Sequence, residues 1–235
     1  MSYTKSCCSL PPVSHEYKEI VYESGNSDAK GVLIVAYDVF GFHNATNQFV
    51  DHIGAKSGLI VLVPDYFKGN ALTAADFPPK DPEAMKKRVG EAASPQQCIL
   101  MTQQVLEHYK IDTKTTPTAI IGFCWGGFMG NLIIQNLTTA QFKAFAVCHP
   151  SVWTDETGSE ITVPLIAIPT KDDFDMTKFF ENMKPEIREK SEHHRFNDVH
   201  HGFAAARANL QDETNLREYN RAIDLISEFF SKRLF

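Results

Sequence analysis

The eight residues Ile120-Ile121-Gly122-Phe123-Cys124-Trp125-Gly126-Gly127 constrain the fold more than any other stretch of this chain. An apolar run from Thr118 to Phe123 ends in Gly-x-Cys-x-Gly, and an apolar pattern at helical spacing follows from Phe128 to Leu137. Such spacing describes a strand that turns abruptly into a helix and holds one side chain at the apex, a nucleophile elbow. The backbone there is cramped, and glycines two residues before and after the apex remove the side chains that would collide. The apex residue is Cys124, where serine is usual, so the chemistry predicted is that of a thiolate at a helix N-terminus. A buried structural thiol is the commonest role of cysteine, but the flanking glycines and the Trp125-Gly126-Gly127 continuation favour the apex.

The remaining segments alternate between strand and helix signals. Lys18 to Glu23 and Gly31 to Tyr37 read as strands separated by the turn-rich Ser24-Gly25-Asn26-Ser27-Asp28, and Asn44 to Lys56 reads as a helix stopped by Gly58. Leu59 to Val63 is a continuous apolar run, as in a strand covered on both faces. Residues 66–82 suggest a surface excursion with room for one helical turn, and Pro95 to Tyr109 a helix capped by Ser94. Further strands are expected at Phe142–Cys148, Pro164–Ile168 and His193–Phe196, and further helices at Asp175–Lys190 and Thr214–Lys232. Alternation of this kind predicts an α/β fold with a mostly parallel central sheet, helices on both faces and one domain over residues 1–235.

Composition excludes several functions. With 43% hydrophobic residues among 235, the chain has ample material for a core. A net charge of -6, with no basic run longer than Lys86-Lys87-Arg88, makes a nucleic-acid partner a poor fit. No segment resembles a secretory signal or a membrane span, so a cytoplasmic setting without membrane association is expected. The five cysteines (Cys7, Cys8, Cys98, Cys124 and Cys148) show no Cys-x-x-Cys spacing, which argues against a metal ribbon and for free thiols. Cys7 and Cys8 read as packed thiols of an N-terminal arm.

Functional loops of a parallel sheet leave the carboxyl ends of its strands, and three groups suited to chemistry fall there. They are Cys124, the pair Asp172-Asp173 and the run His200-His201-Gly202, in the order nucleophile, acid, histidine that α/β-hydrolases share. His201 is preferred to His200 because Gly202 and Phe203 follow it, a small residue and an apolar plug suited to seating an imidazole. His15, His43, His52 and His108 lie in surface-like segments, His193 and His194 in the last strand, and His149 precedes the acid in the chain. Asp172 is the preferred acid, although composition does not separate it from Asp173. The loop Tyr37-Asp38-Val39-Phe40-Gly41 ends a central strand, where the Val39 N–H would join the Trp125 N–H in an oxyanion hole. Asp38 reads either as a carboxylate of the site or as a turn residue satisfying the backbone.

At these positions the chain resembles the dienelactone hydrolase family of α/β-hydrolases, which uses a Cys-His-Asp triad. Gly122-Phe123-Cys124-Trp125-Gly126-Gly127 is similar to its nucleophile motif, and His201-Gly202-Phe203-Ala204 to its histidine motif. Asp38-Val39-Phe40-Gly41 is similar to its oxyanion loop, and Lys171-Asp172-Asp173-Phe174 to its acid loop with Asp172 in the triad. The likeness runs from about residue 15 to the C-terminus, and Cys7-Cys8 with His149-Pro150-Ser151 resembles the fungal members. The resemblance implies a substrate pocket that includes Asp38, Phe40, Phe203 and Arg207, with Arg88 as a looser second arginine. The family usually carries Glu where this chain has Asp38, and in its bacterial members that Glu holds the resting thiol.

The expected activity is hydrolysis of a small-molecule ester or lactone by a monomer or homodimer, with no metal and no organic cofactor. His201, oriented by Asp172, would deprotonate Cys124, and a thioester acyl-enzyme would follow. Two other readings compete: a carboxylesterase or thioesterase with little lactone activity, and a non-hydrolytic protein that senses electrophiles or redox state through Cys124.

Overall fold

Continuous apolar runs make strands that need cover on both faces, and the sheet supplies that arrangement. The computed structural model describes residues 21–25 and 28–235; the expectations placed on Cys7, Cys8, His15, Lys18–Ile20, Asn26 and Ser27 lie outside them. Its strands are β1 (Val21–Ser24), β2 (Gly31–Ala36), β3 (Leu59–Pro64), β4 (Thr118–Phe123), β5 (Ala144–Cys148), β6 (Leu165–Ile168) and β7 (Glu192–His193). They form one sheet in the order β1-β3-β2-β4-β5-β6-β7, with β1 antiparallel to β3 and every other pairing parallel. All residues of β2, β4, β5 and β6 are buried.

The helices are α1 (Asn44–Ser57), α2 (Pro82–Ala92), α3 (Pro95–His108), α4 (Trp125–Asn136), α5 (Thr177–Asn182), α6 (Pro185–Arg188) and α7 (Glu213–Leu234). Two positions of β4 show which helices cover which face. Phe123 meets Phe49 of α1, which meets Tyr219 of α7, whereas Ile120 lies against Gly130 of α4. Residues three apart on a strand point to opposite faces, so α1 and α7 form one layer and α4, packed on α3, belongs to the other. Among the described residues no helix is long and apolar enough to cross a membrane.

Local signals place most helix ends. Ser94 caps α3 through a reciprocal pair with Gln97, and Gly58 ends α1 with a left-handed φ of 66°. Three expectations need correction. The excursion over residues 66–82 carries a short 3-10 turn at Ala74–Asp76, but it is followed by α2, which was not expected. Only Val89 of α2 is buried, so the helix has almost no apolar period to detect, although Asp81-Pro82 is a proper cap and first residue. The helix expected over Asp175–Lys190 is two short ones, broken where Lys184 turns extended (ψ 134°) before Pro185. The last strand stops at His193; Pro169 has no N–H to continue the ladder beyond β6, and only an isolated bridge from Thr170 to Phe196 follows.

The start of α4 packs directly against the backbone of the sheet. A Cβ on Gly126 would lie 1.9 Å from the Ala36 carbonyl oxygen and 2.4 Å from that of Tyr37, both backbone atoms of the β2 end. Gly58, by contrast, has open space around it and only its positive φ to satisfy. Gly126→Ala should therefore cost roughly 3 kcal/mol or more, and Gly58→Ala about 1 kcal/mol. Urea denaturation midpoints of the two variants check this, and equal losses would contradict the contact.

Candidate active site

Cys124 sits between β4 and α4 with φ 54° and ψ -117°, a conformation that costs on the order of 1–3 kcal/mol for a residue with a side chain. The turn is held by Cys124 N–H donating to the Cys148 carbonyl at 3.2 Å and Gly127 N–H donating to the Cys124 carbonyl at 3.0 Å. A Cβ on Gly122 would stand 2.4 Å from the Gly126 carbonyl oxygen, and one on Gly127 would stand 2.5 Å from Val147. The glycines are there because helix and strands touch, as the spacing in the sequence predicts.

The acid loop follows β6, and here the preference for Asp172 is corrected. His201 Nδ1 pairs with Asp173 Oδ1 at 2.5 Å, and the Asp173 carboxylate is buried, with 2% of its side chain exposed. Its second oxygen accepts from the Thr170 N–H at 2.6 Å and the Thr170 hydroxyl at 2.8 Å, which fixes the carboxylate toward the ring. Asp172 instead accepts the His201 backbone N–H at 3.1 Å and so anchors the chain rather than the imidazole. The Thr-x-x-Asp spacing of Thr170 and Asp173 was the available local signal, since the same spacing makes the same bonds at Thr73 and Asp76. Arg195, also missed, braces the loop by donating to the carbonyls of Asp173 (2.9 Å), Phe174 (3.1 Å) and Lys171 (3.4 Å).

Burial works against a charged His201 ring, but hydrogen bonds to Asp173 and Cys124, and their charges, outweigh it and push its pKa up to about 10. Behind it lies His149, fully buried, its ring edge-on to His201 at 4.8 Å and also in contact with Phe123 and Phe203. Burial, with the positive charge of His201 beside it, holds His149 well below the ordinary imidazole range, so it is neutral. Phe203 needs the second correction. It is 0% exposed and packs on Phe196 and His149, so it backs the imidazoles as a plug and cannot line a substrate pocket.

The loop after β2 meets the start of α4, because the Tyr37 carbonyl faces Gly126. Leu72 N–H donates to the Val39 carbonyl at 2.9 Å, and Trp125, the first residue of α4, has an N–H with no partner within the helix. Asp38 is 3% exposed and spans two loops: Oδ1 accepts from Phe40 N–H at 2.9 Å and Oδ2 from Ala206 N–H at 3.3 Å. Burial raises its pKa to about 6 against the pull of those two N–H groups and of the His201 and Arg207 charges. Phe40 meets Phe77, a residue not singled out in the sequence, ring to edge at 6.0 Å, and the Arg207 guanidinium lies over the Phe77 ring at 5.6 Å. Arg207 has no carboxylate at ion-pair distance among the described residues, whereas Arg88 pairs with Asp76 at 2.6 Å and is taken up elsewhere. Among the described residues no cluster of His, Cys, Asp and Glu could hold a metal ion.

Residues 18–233 match the model of the dienelactone hydrolase family. An uncharacterized AIM2 family protein of Schizosaccharomyces pombe is 28% identical over 217 residues, covering 89% of this chain and 85% of the relative. A carboxymethylenebutenolidase homolog of Homo sapiens is 25% identical over 190 residues, 75% of this chain and 71% of the relative. Among solved structures, carboxyl esterase 2 of the mycorrhizal fungus Tuber melanosporum has a TM-score of 0.60, covering 92% of this chain and 82% of its own at 14% identity. Identity that low speaks for the fold alone.

Because folding raises the His201 pKa from 6.5 to about 10, the stability its charged ring contributes is complete below 6.5 and is lost as the pH rises through about 10. NMR titration of the imidazole should find His201 protonated well above neutral pH in the wild type and in Asp172→Asn. In Asp173→Asn the midpoint should move down toward 6.5, since the main hydrogen bond raising it is gone. A midpoint that follows Asp172 instead would reverse the assignment of the acid.

Proposed function

The chain belongs to the dienelactone hydrolase family, and from that premise we propose that it is a cysteine-dependent hydrolase of small esters or lactones with Cys124, His201 and Asp173 as its triad. The observation that carries the reading is the 2.5 Å bond from Asp173 to His201 Nδ1, which leaves Nε2 as the ring nitrogen available to the thiol at the strained elbow. His201 Nε2 takes the proton of Cys124, and the raised pKa of the ring favours keeping it there.

The thiolate attacks the substrate carbonyl carbon, and negative charge gathers on the carbonyl oxygen. The N–H groups of Val39 and Trp125 are offered for that charge: they cost no reorganisation during reaction because the contact of α4 with β2 holds them. The carbon–oxygen bond breaks, and the leaving oxygen takes the proton from His201; in a lactone that alcohol stays tethered to the acyl group. Water deprotonated by His201 then attacks the thioester, and the acid leaves as Cys124 takes the proton back. None of these steps calls on a metal or organic cofactor. Phe40 and Phe77 offer apolar walls and Arg207 a guanidinium without an ion-pair partner among the described residues, so the reading favours an unsaturated substrate bearing an anionic group.

Assays on a panel of lactones, p-nitrophenyl esters and acyl thioesters should show turnover that Cys124→Ala abolishes without loss of fold. Asp173→Asn should lower kcat by about 10³–10⁴, as loss of the correct imidazole tautomer does in other triads, while Asp172→Asn stays within about tenfold. Hydrolysis that survives in Cys124→Ala would sink the mechanism. Rapid alkylation of Cys124 with no turnover on the whole panel would favour a sensing role.

A further inference from the structure

One contact to the sulfur is left over by that mechanism. Cys124 Sγ lies 3.4 Å from Ser151 Oγ, hydrogen-bond range for sulfur, and no step above uses Ser151. The loop that carries it is bent in an unusual way. His149 and Val152, on either side of Pro150-Ser151, have left-handed φ values of 39° and 66°. Neither is glycine, and for a β-branched valine a positive φ is a true outlier. Val152 is 67% exposed, so its own burial does not explain the strain. Both ends of the bend are pinned by buried rings: His149 among Phe123, His201 and Phe203, and Trp153 stacked on Phe179 at 5.0 Å. What the bend delivers is a hydroxyl against the sulfur.

We infer that Ser151 is a further catalytic residue, whose hydroxyl donates to the Cys124 thiolate and holds it until substrate arrives. The inference rests on Cys124 being the nucleophile. The polarity of the contact suits this role. Once the thiol proton is on His201 the sulfur only accepts, and Ser151 is a neutral donor that adds no like charge beside it. Asp38 is not placed to do the same, because each of its oxygens already accepts a backbone N–H. The ionisable groups linked to the sulfur and to its imidazole are His201 with Asp173 behind it, the neutral His149, Asp38, Arg207, and Cys148 on β5, whose thiol burial pushes well above its ordinary range.

Thiol reactivity tests the contact without any ester. A donor extends the thiolate to lower pH but makes it less nucleophilic, so removing it should change the shape of the pH profile and not only its height. With 2,2′-dipyridyl disulfide, the thiolate attacks one sulfur and releases pyridine-2-thione; the Cys124→Ala rate is subtracted as background. On the acid limb, where the thiol is mostly protonated, loss of one charged hydrogen bond removes about tenfold of the thiolate. A Brønsted slope of about 0.45 returns about threefold through greater nucleophilicity. Ser151→Ala should therefore react about threefold more slowly on the acid limb of the profile and faster than wild type on the high-pH plateau, so that the profiles cross. Ser151→Thr, which keeps the hydroxyl, should restore the wild-type profile. Superimposable profiles, or a uniform loss at every pH, would overturn the inference. Crossing profiles in a protein that turns over no ester would uphold the contact and bring down the hydrolase reading instead.

Discussion

Gly126 of α4 and the carbonyl groups that end β2 leave no room between them, and the site is assembled around that contact. A helix starting that close to the sheet forces the preceding residue through a left-handed turn, which is why Cys124 has φ 54° and projects from the elbow. The same contact brings the loop after β2 to the N-terminal end of α4, where unpaired N–H groups gather. The projecting thiol and the unpaired N–H groups beside it are therefore two consequences of one steric fact. A single methyl group on Gly126 would disturb both.

Much of this was legible in the sequence because the steric demand is local. A strand that turns at once into a packed helix needs small residues at fixed offsets, and Gly122, Gly126 and Gly127 stand at them. Continuous apolar runs likewise revealed the strands, since both faces of β4, β5 and β6 are covered. The chain order Cys124, Asp172-Asp173, His201 pointed to three loops, and the last two meet through the bond between His201 and Asp173. What the pattern could not reveal was which of two adjacent side chains turns inward. Asp172 and Asp173 differ only in what Thr170 does: its hydroxyl and N–H hold one oxygen of Asp173, so the other faces His201. Phe203 follows the same logic, for Gly202 with φ 91° swings the chain so that the aromatic ring enters the core instead of the pocket. Contacts between distant loops, such as Ser151 with Cys124 or Arg207 with Phe77, have no local signature at all.

The length of Asp38 has a physical meaning that the comparison with Glu obscures. Its Oδ1 accepts from Phe40 N–H two residues on, an Asx turn that only a short side chain closes. A glutamate would overshoot that N–H and reach farther into the site. By staying short, Asp38 shapes its own loop and ties it through Ala206 to the loop of His201. A carboxylate this deeply buried is costly to ionise, as its pKa of about 6 records, and the nearby His201 and Arg207 charges offset part of that cost. The acidic groups thus divide the structural roles among them, Asp173 orienting the ring, Asp172 anchoring its backbone and Asp38 joining two loops. With Asp38, Asp172 and Asp173 all committed to other partners, Cys124 is left facing an imidazole and a hydroxyl, both able to donate to it. A thiolate needs donors and is harmed by like charge, so a short acid in the loop after β2 and a serine on the sulfur are complementary features of one electrostatic arrangement.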